Sequence, residues 1–242
     1  MTRKNMQNEF AAEQYFDLSG YMHKELFEGT EFVWEAFNNS EKYLEKLFSE
    51  TPKDQWHQGN ISDQAIIKGD VIIAKDAKIE PTAYIEGPCY IGPRAIVGTG
   101  AYIRGLTILG ERSIIGHCTE AKNTIMLDYA CAPHFNFIGD CIMGARSNIG
   151  AGVILANFRL DAKEVPAGNT TTGMTKFGAI LGDDVKVGCN AVLEPGMFIQ
   201  KDAWVGPTQY LRRGVYKKGE RHADLIRFEK EMLMIAREKE LA

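Results

Sequence analysis

Long apolar runs are missing from this chain. None of its 242 residues belongs to a stretch approaching the ~18 apolar residues that span a bilayer, and the polar start MTRKNMQNEF does not read as a signal peptide. Charge of one sign is not in excess either. Lys and Arg total 28 against 32 Asp and Glu, a net charge of −4, which gives no reason to expect nucleic acid or a membrane surface as partner. The five cysteines (Cys89, Cys118, Cys131, Cys141, Cys189) are odd in number and show no CxxC spacing. They read as reduced, buried residues of a cytoplasmic protein, not as disulfides or a zinc site. No glycine-rich nucleotide loop is present.

What is abundant is a rhythm of six. Ile67, Ile73, Ile79, Ile85, Ile91, Val97, Ile103, Leu109 and Ile115 follow one another without a miss. Two residues before most of them stand small or slim side chains: Ala77, Ala83, Cys89, Ala95, Ala101, Thr107 and Ser113. An α-helix returns every 3.6 residues, so a sixth-residue repeat would wander around its surface. The same repeat suits short strands joined by tight corners, with one aliphatic per strand pointing to a common axis. It predicts an all-β chain folded as a left-handed parallel β-helix, three strands and about 18 residues to a coil, coils stacked ~4.8 Å apart.

Residues 1–56 carry no hexads and predict an extended arm and a helical cap. Apolar spacing places helices over Met22–Phe27 and Glu31–Phe48, interrupted at Asn38-Asn39-Ser40, where Ser40 would cap the second one. Their aromatic load (Tyr15, Phe16, Tyr21, Phe27, Phe32, Trp34, Phe37, Tyr43, Phe48) has to be buried against the coils or against another subunit. The β-helix is predicted over 57–215. Its register loosens at Lys122–Phe137, and an insertion at 159–178 is too irregular to stack and should loop out. A long excursion from a regular scaffold often carries function. The tail 216–242 predicts a helix that covers the last open strand edges or binds a partner.

Reactive side chains concentrate from Glu120 to Asn157. Residues about 18 apart stack on one face, so Arg104 and Lys122 should be neighbours; with no acid next to them in sequence, they suggest a phosphate clamp or a solvated pair. His134 lies where the coil is perturbed, and spacing alone allows a structural role or that of a base near pH 7. A metal centre is disfavoured, since His117 and His134 are the only coil histidines available.

Glu120-Ala121-Lys122-Asn123, His134-Phe135-Asn136-Phe137-Ile138-Gly139-Asp140, Asn148-Ile149-Gly150-Ala151-Gly152 and Asn157-Phe158 together resemble the acetyltransferase domain of GlmU, the bifunctional enzyme of UDP-N-acetylglucosamine synthesis. The likeness runs without a gap from Arg104 to Asn157, resumes at Lys176-Phe177 and covers roughly Ile67 to Pro207. It implies a cytoplasmic homotrimer that transfers acetyl from acetyl-CoA to an amino-sugar 1-phosphate such as glucosamine 1-phosphate. By the same resemblance Arg104 and Lys122 would hold the phosphate and His134 would be the general base, with Glu120 and Asn157 orienting base and substrate. Asn148 and the position of Phe137 would contact the sugar, Lys176 would reach the site of a neighbouring subunit, and Ala151, Phe158 and Cys189 would lie along the acetyl-CoA.

Three positions depart from the family. Phe137 and Phe158 replace tyrosines and Cys189 replaces a serine, so the clamp and base are kept while sugar and thiolate contacts change. About 60 residues before the coils are too few for a nucleotidyltransferase domain, so uridylyl transfer is not expected of this chain, and a separate partner could supply it. Two alternatives stay open: a sugar-nucleotide-binding or scaffold subunit with reduced turnover, and an O-acyltransferase using the same base on a hydroxyl.

Overall fold

The computed structural model describes residues 8–221. Their backbone forms a parallel β-solenoid with three faces, each an eight-stranded sheet of short strands. The first face runs from Asn60–Ile61 to Trp204–Val205, the second from Ile66–Lys68 to Tyr210–Leu211, and the third from Val71–Ile73 to Gly214–Tyr216. The hexad aliphatics from Ile73 to Ile115 all point inward and are fully buried. Each removes from water a side chain whose burial stabilises by about 1.5–3 kcal/mol. The small register from Ala77 to Ser113 is buried with them at the corners.

The cysteine expectation needs correcting. All five are free thiols, yet only Cys89 and Cys141 are buried; Cys131 is half-buried, and Cys118 and Cys189 are exposed. Cys131 stands at an outward position of the first face, between Ile114 and Asn148, and Cys118 sits on a corner with positive φ. Burial pushes the Cys89 thiol up to about 12.

The loosened register has a simple form. On the third face Ile108 pairs with Ile125 and Ile125 with Ile142, a step of 17 residues in place of the 18 from Tyr90 to Ile108. The missing residue is lost at the edge between second and third faces, first at Lys122–Ile125 and again at Gly139–Ile142. One coil later the chain leaves from that edge after Asn157 and returns at Gly178. This excursion does not simply loop out. Its short antiparallel pair, Pro166–Ala167 with Thr170–Thr171, folds back so that Val165, Ala167 and Phe177 are buried.

The third face is apolar outside as well as in. Ile72, Tyr90, Ile108, Ile125, Ile142, Ile180 and Phe198 form an outer stripe that the N-terminal residues cover with Phe10, Tyr15, Phe16, Leu26, Trp34 and Leu44. The aromatic load therefore packs on the chain's own solenoid. Phe198 meets Phe10, Trp34 and Phe177 at ring separations of 4.9, 5.6 and 5.4 Å, distances at which edge-to-face pairs attract. The cap holds one α-helix, Ala36–Glu50, preceded by 3-10 turns at Lys24–Phe27 and Val33–Glu35. The expected break at Asn38-Asn39-Ser40 is absent. Ser40 is not a cap; its hydroxyl donates back to the Ala36 carbonyl at 3.1 Å, and Asn39 donates to the Leu26 carbonyl at 2.9 Å. Packing of Phe37, Tyr43 and Leu44 carries the helix through residues of weak propensity. At the start of the tail predicted as a helix, Tyr216 instead ends the last strand and Arg221 bridges to Trp204; the rest of that prediction lies outside the described residues.

Candidate active site at the second face

The second face presents two outward columns. In one, Tyr84, Tyr102, Glu120, Phe137 and Ile154 are successive Cα partners; in the other, Arg104, Lys122 and Gly139 are. Arg104 and Lys122 are thus direct neighbours, as the 18-residue stacking requires. The absence of an acid does not carry over to three dimensions. Glu120 Oε1 accepts from Arg104 Nη1 at 3.0 Å, and Asp140 Oδ1 lies 3.6 Å from Lys122 Nζ. Glu120 holds the Arg104 guanidinium still further above its usual value, so that group remains charged at any working pH.

These side chains border a cleft of about 370 Å³ lined by Arg104, Lys122, Phe137, Asn157, Phe158 and Lys176. Phe158 and Lys176 face each other across an antiparallel bridge at the neck of the excursion, which delivers Lys176 to the cleft of its own chain. Three cations line the space and no carboxylate does. Gly139 is part of the fit. A Cβ there would lie 2.5 Å from Asn157 Nδ2 and 2.8 Å from the Phe137 ring, so any larger residue would displace both.

His134 ends a strand of the first face, Cys131–His134, at the corner that bounds the other edge of the second. It pairs with His117 one coil below, and its carbonyl accepts from Gly152 N, as that of Ala151 does from Asn190 N and that of Cys189 from Thr208 N. The repeated bond puts His134, Ala151 and Cys189 in one vertical column. The imidazole is exposed and has no hydrogen-bond partner among the described residues; Glu120 is bound to Arg104, and Asn157 to Asp140 at 2.6 Å. Five residues separate His134 from Gly139, the partner of Lys122, a reach of at most ~17 Å. Asn148 lies on the first face, between Cys131 and Lys186. One chain therefore gathers the cations, Phe137, Asn157, Phe158 and Lys176 at one edge, His134, Ala151 and Cys189 at the other, and Asn148 around the corner. Sequence reading left Asp140 and Gly139 without roles, although both stand in the motif and Asn123, Asp140 and Asn157 repeat at 17-residue intervals.

A hexapeptide-type parallel solenoid with a cation-lined cleft on an open face is the class that fold and site define. A family model described as the GMPPB C-terminal domain matches residues 85–198. The chain is similar to the bifunctional protein GlmU of Methanococcus maripaludis, 37% identical over 196 residues that cover 77% of this chain and 46% of that protein. A bifunctional sugar-1-phosphate nucleotidylyltransferase/acetyltransferase of Sulfurisphaera tokodaii is 38% identical over 161 residues, 65% of this chain and 40% of its own. The GlmU resemblance read from the motifs is borne out, and the chain spans about half the length of the curated relatives it matches. Among solved structures, a perosamine N-acetyltransferase from Caulobacter crescentus in complex with CoA and GDP-perosamine is 18% identical, covers 62% of this chain and 50% of that one, and superposes with a TM-score of 0.31. Among the described residues no helix is long and apolar enough to cross a membrane.

Proposed function

We propose that this chain is an acetyl-CoA-dependent N-acetyltransferase acting on an amino-sugar 1-phosphate of the glucosamine 1-phosphate kind. The observation that carries the reading is the stacked pair Arg104 and Lys122 over a cleft that Lys176 closes. A phosphate dianion placed there meets three donors and no opposing carboxylate in the lining. Phe137 offers an apolar surface to the sugar ring, and Asn157 offers a hydrogen bond.

The proposed enzyme works as a homotrimer. A contact laying the first face of one copy on the second face of the next brings Asn148 toward the cations, with the His134 column along the shared edge. Exposed apolar side chains on these faces, Ile66, Ile154, Tyr210 and Trp204, favour such a contact. The acceptor amine is inert as an ammonium. It first gives one proton to solvent; as the freed nitrogen then attacks the thioester carbonyl, His134 takes a second proton from it, the carbon–sulfur bond breaks, and the imidazolium returns that proton to the leaving thiolate. Ala151 and Cys189, in the column of His134, border the path proposed for the thioester arm.

The test is release of free thiol from acetyl-CoA in the presence of a panel of amino-sugar phosphates. Thiol release confined to 1-phosphates supports the reading; none with any member, despite a ligand-induced thermal shift, supports a binding subunit. Phe137 in the cleft, where the family's tyrosine would supply a hydroxyl, favours that second reading.

A further inference from the structure

Beneath the cleft runs a polar column of which the proposed reaction uses only Asn157. Asn123, Asp140 and Asn157 lie on the edge where the solenoid loses a residue per coil. Asp140 is 2% exposed. Its Oδ1 accepts from Asn123 Nδ2 at 2.8 Å and its Oδ2 from Asn157 Nδ2 at 2.6 Å, with Lys122 Nζ 3.6 Å from Oδ1. An ionised carboxylate, acceptor-only at both oxygens, satisfies two amide donors and a cation at once. Neither the neutral acid nor an amide does.

Burying such a charge is unfavourable unless it is fully paired, and the scaffold does not require it. Leu106, one coil below Asn123, takes the same left-handed turn with φ 60°, against 45° at Asn123 and 52° at Asp140. An apolar residue is tolerated there. The polar column begins where the cleft begins, and its two outer contacts are cleft residues. With Nδ2 bound to Asp140, Asn157 has Oδ1 left as the acceptor for an incoming N–H or O–H.

We infer that Asp140 is a positioning residue: it fixes the Asn157 amide and the Lys122 ammonium at the cleft without touching the ligand. The role in turnover rests on the transferase reading above; the role in anion binding does not.

The test compares the full chain, Asp140→Asn and the double variant Asn123→Asp/Asp140→Asn. Titration with inorganic phosphate is run beside kinetics with acetyl-CoA and glucosamine 1-phosphate, and thermal unfolding reports the fold. In Asp140→Asn the new amide accepts from one neighbour but turns its own donor on the other. Phosphate affinity should fall about tenfold, the effect of one charge-assisted hydrogen bond, with KM rising in step. The double variant rebuilds a consistent chain: the carboxylate now at position 123 accepts from the amide at position 140, and that amide accepts from Asn157. It should recover to within about threefold of the parent. Asp140→Asn within about twofold of the parent, or a folded double variant no better than the single one, would overturn the assignment. If the single variant does not fold, the parent decides. One Asn157 side-chain amide proton, identified by its loss in Asn157→Ser, should resonate downfield and exchange slowly, and two ordinary protons would overturn the inference. A parent that binds phosphate yet releases no thiol would end the transferase reading while leaving the phosphate comparison to judge Asp140.

Discussion

The second and third faces share one backbone repeat and differ only in what their outward residues meet. On the third face that column is Ile, Tyr and Phe, and it lies buried under the cap; on the second it is Tyr, Glu and Phe beside Arg and Lys, and it stays open. The inward aliphatics are alike on both. A solenoid coil thus closes its core with one residue per strand and leaves the other positions for separate uses: here one face packed under the cap, one open for the proposed site. Substitutions on the two should separate cleanly into stability and activity effects.

The largest separation concerns His134→Ala, expected to lower the acetyl-transfer rate by ~10²–10⁴ with an unchanged melting curve. A rate within twofold of the parent would remove His134 from the base's role. On the other side, Phe198→Ala takes out a ring packed against Phe10, Tyr15, Trp34 and Phe177. It should destabilise by about 3–5 kcal/mol in denaturant titration, with KM near the parent value while folded.

His23 sharpens the comparison from within the cap. It is 1% exposed, its Nδ1 sits 2.8 Å from the Tyr43 hydroxyl, and burial pulls its pKa down from 6.5 to about 4. The unfolded chain therefore binds this proton below pH 6.5 while the fold does not until about 4. Stability should drop by on the order of 3 kcal/mol as pH falls through that window, and His23→Gln should flatten the slope. Smaller still, Lys122→Ala should raise the KM for the sugar phosphate about tenfold or somewhat more, a loss of about 1.5–3 kcal/mol, and leave the His23 step of the pH-stability curve in place. A parallel change in both would mean the two faces are coupled.

The core was legible because it depends on spacing alone: every hexad aliphatic from Ile73 to Ile115 is where the six-residue rhythm puts it. Much of what was missed was also present as a period, though a longer one. Ile72, Tyr90 and Ile108 recur at 18 and Ile108, Ile125 and Ile142 at 17, which marks a face needing cover and a shortened corner. Other features leave no local trace. That Arg104 meets Glu120 and Lys122 meets Asp140 follows from which side chains lean together across coils. Ser40 looked like a helix start since its hydroxyl suits a cap, but the helix runs through it, and its buried hydroxyl turns back to the Ala36 carbonyl. His134 and the cations were read as one cluster from closeness in sequence, and the width of a strand puts them at opposite edges.

The cap also changes how the column must come apart. In a stack of repeats each rung is held chiefly by its neighbours, so the ends can fray one rung at a time. Here the same N-terminal stretch grips rungs far apart: Tyr90 bonds Met22 Sδ, Tyr21 reaches the Met126 carbonyl, and Asp183 takes the Asp17 amide while donating its own to the Tyr15 carbonyl. Peeling back either end strips part of this strap, which exposes aromatic surface along the whole length. Melting should accordingly be all-or-none rather than sequential, and an otherwise springy filament behaves as a single stiff body.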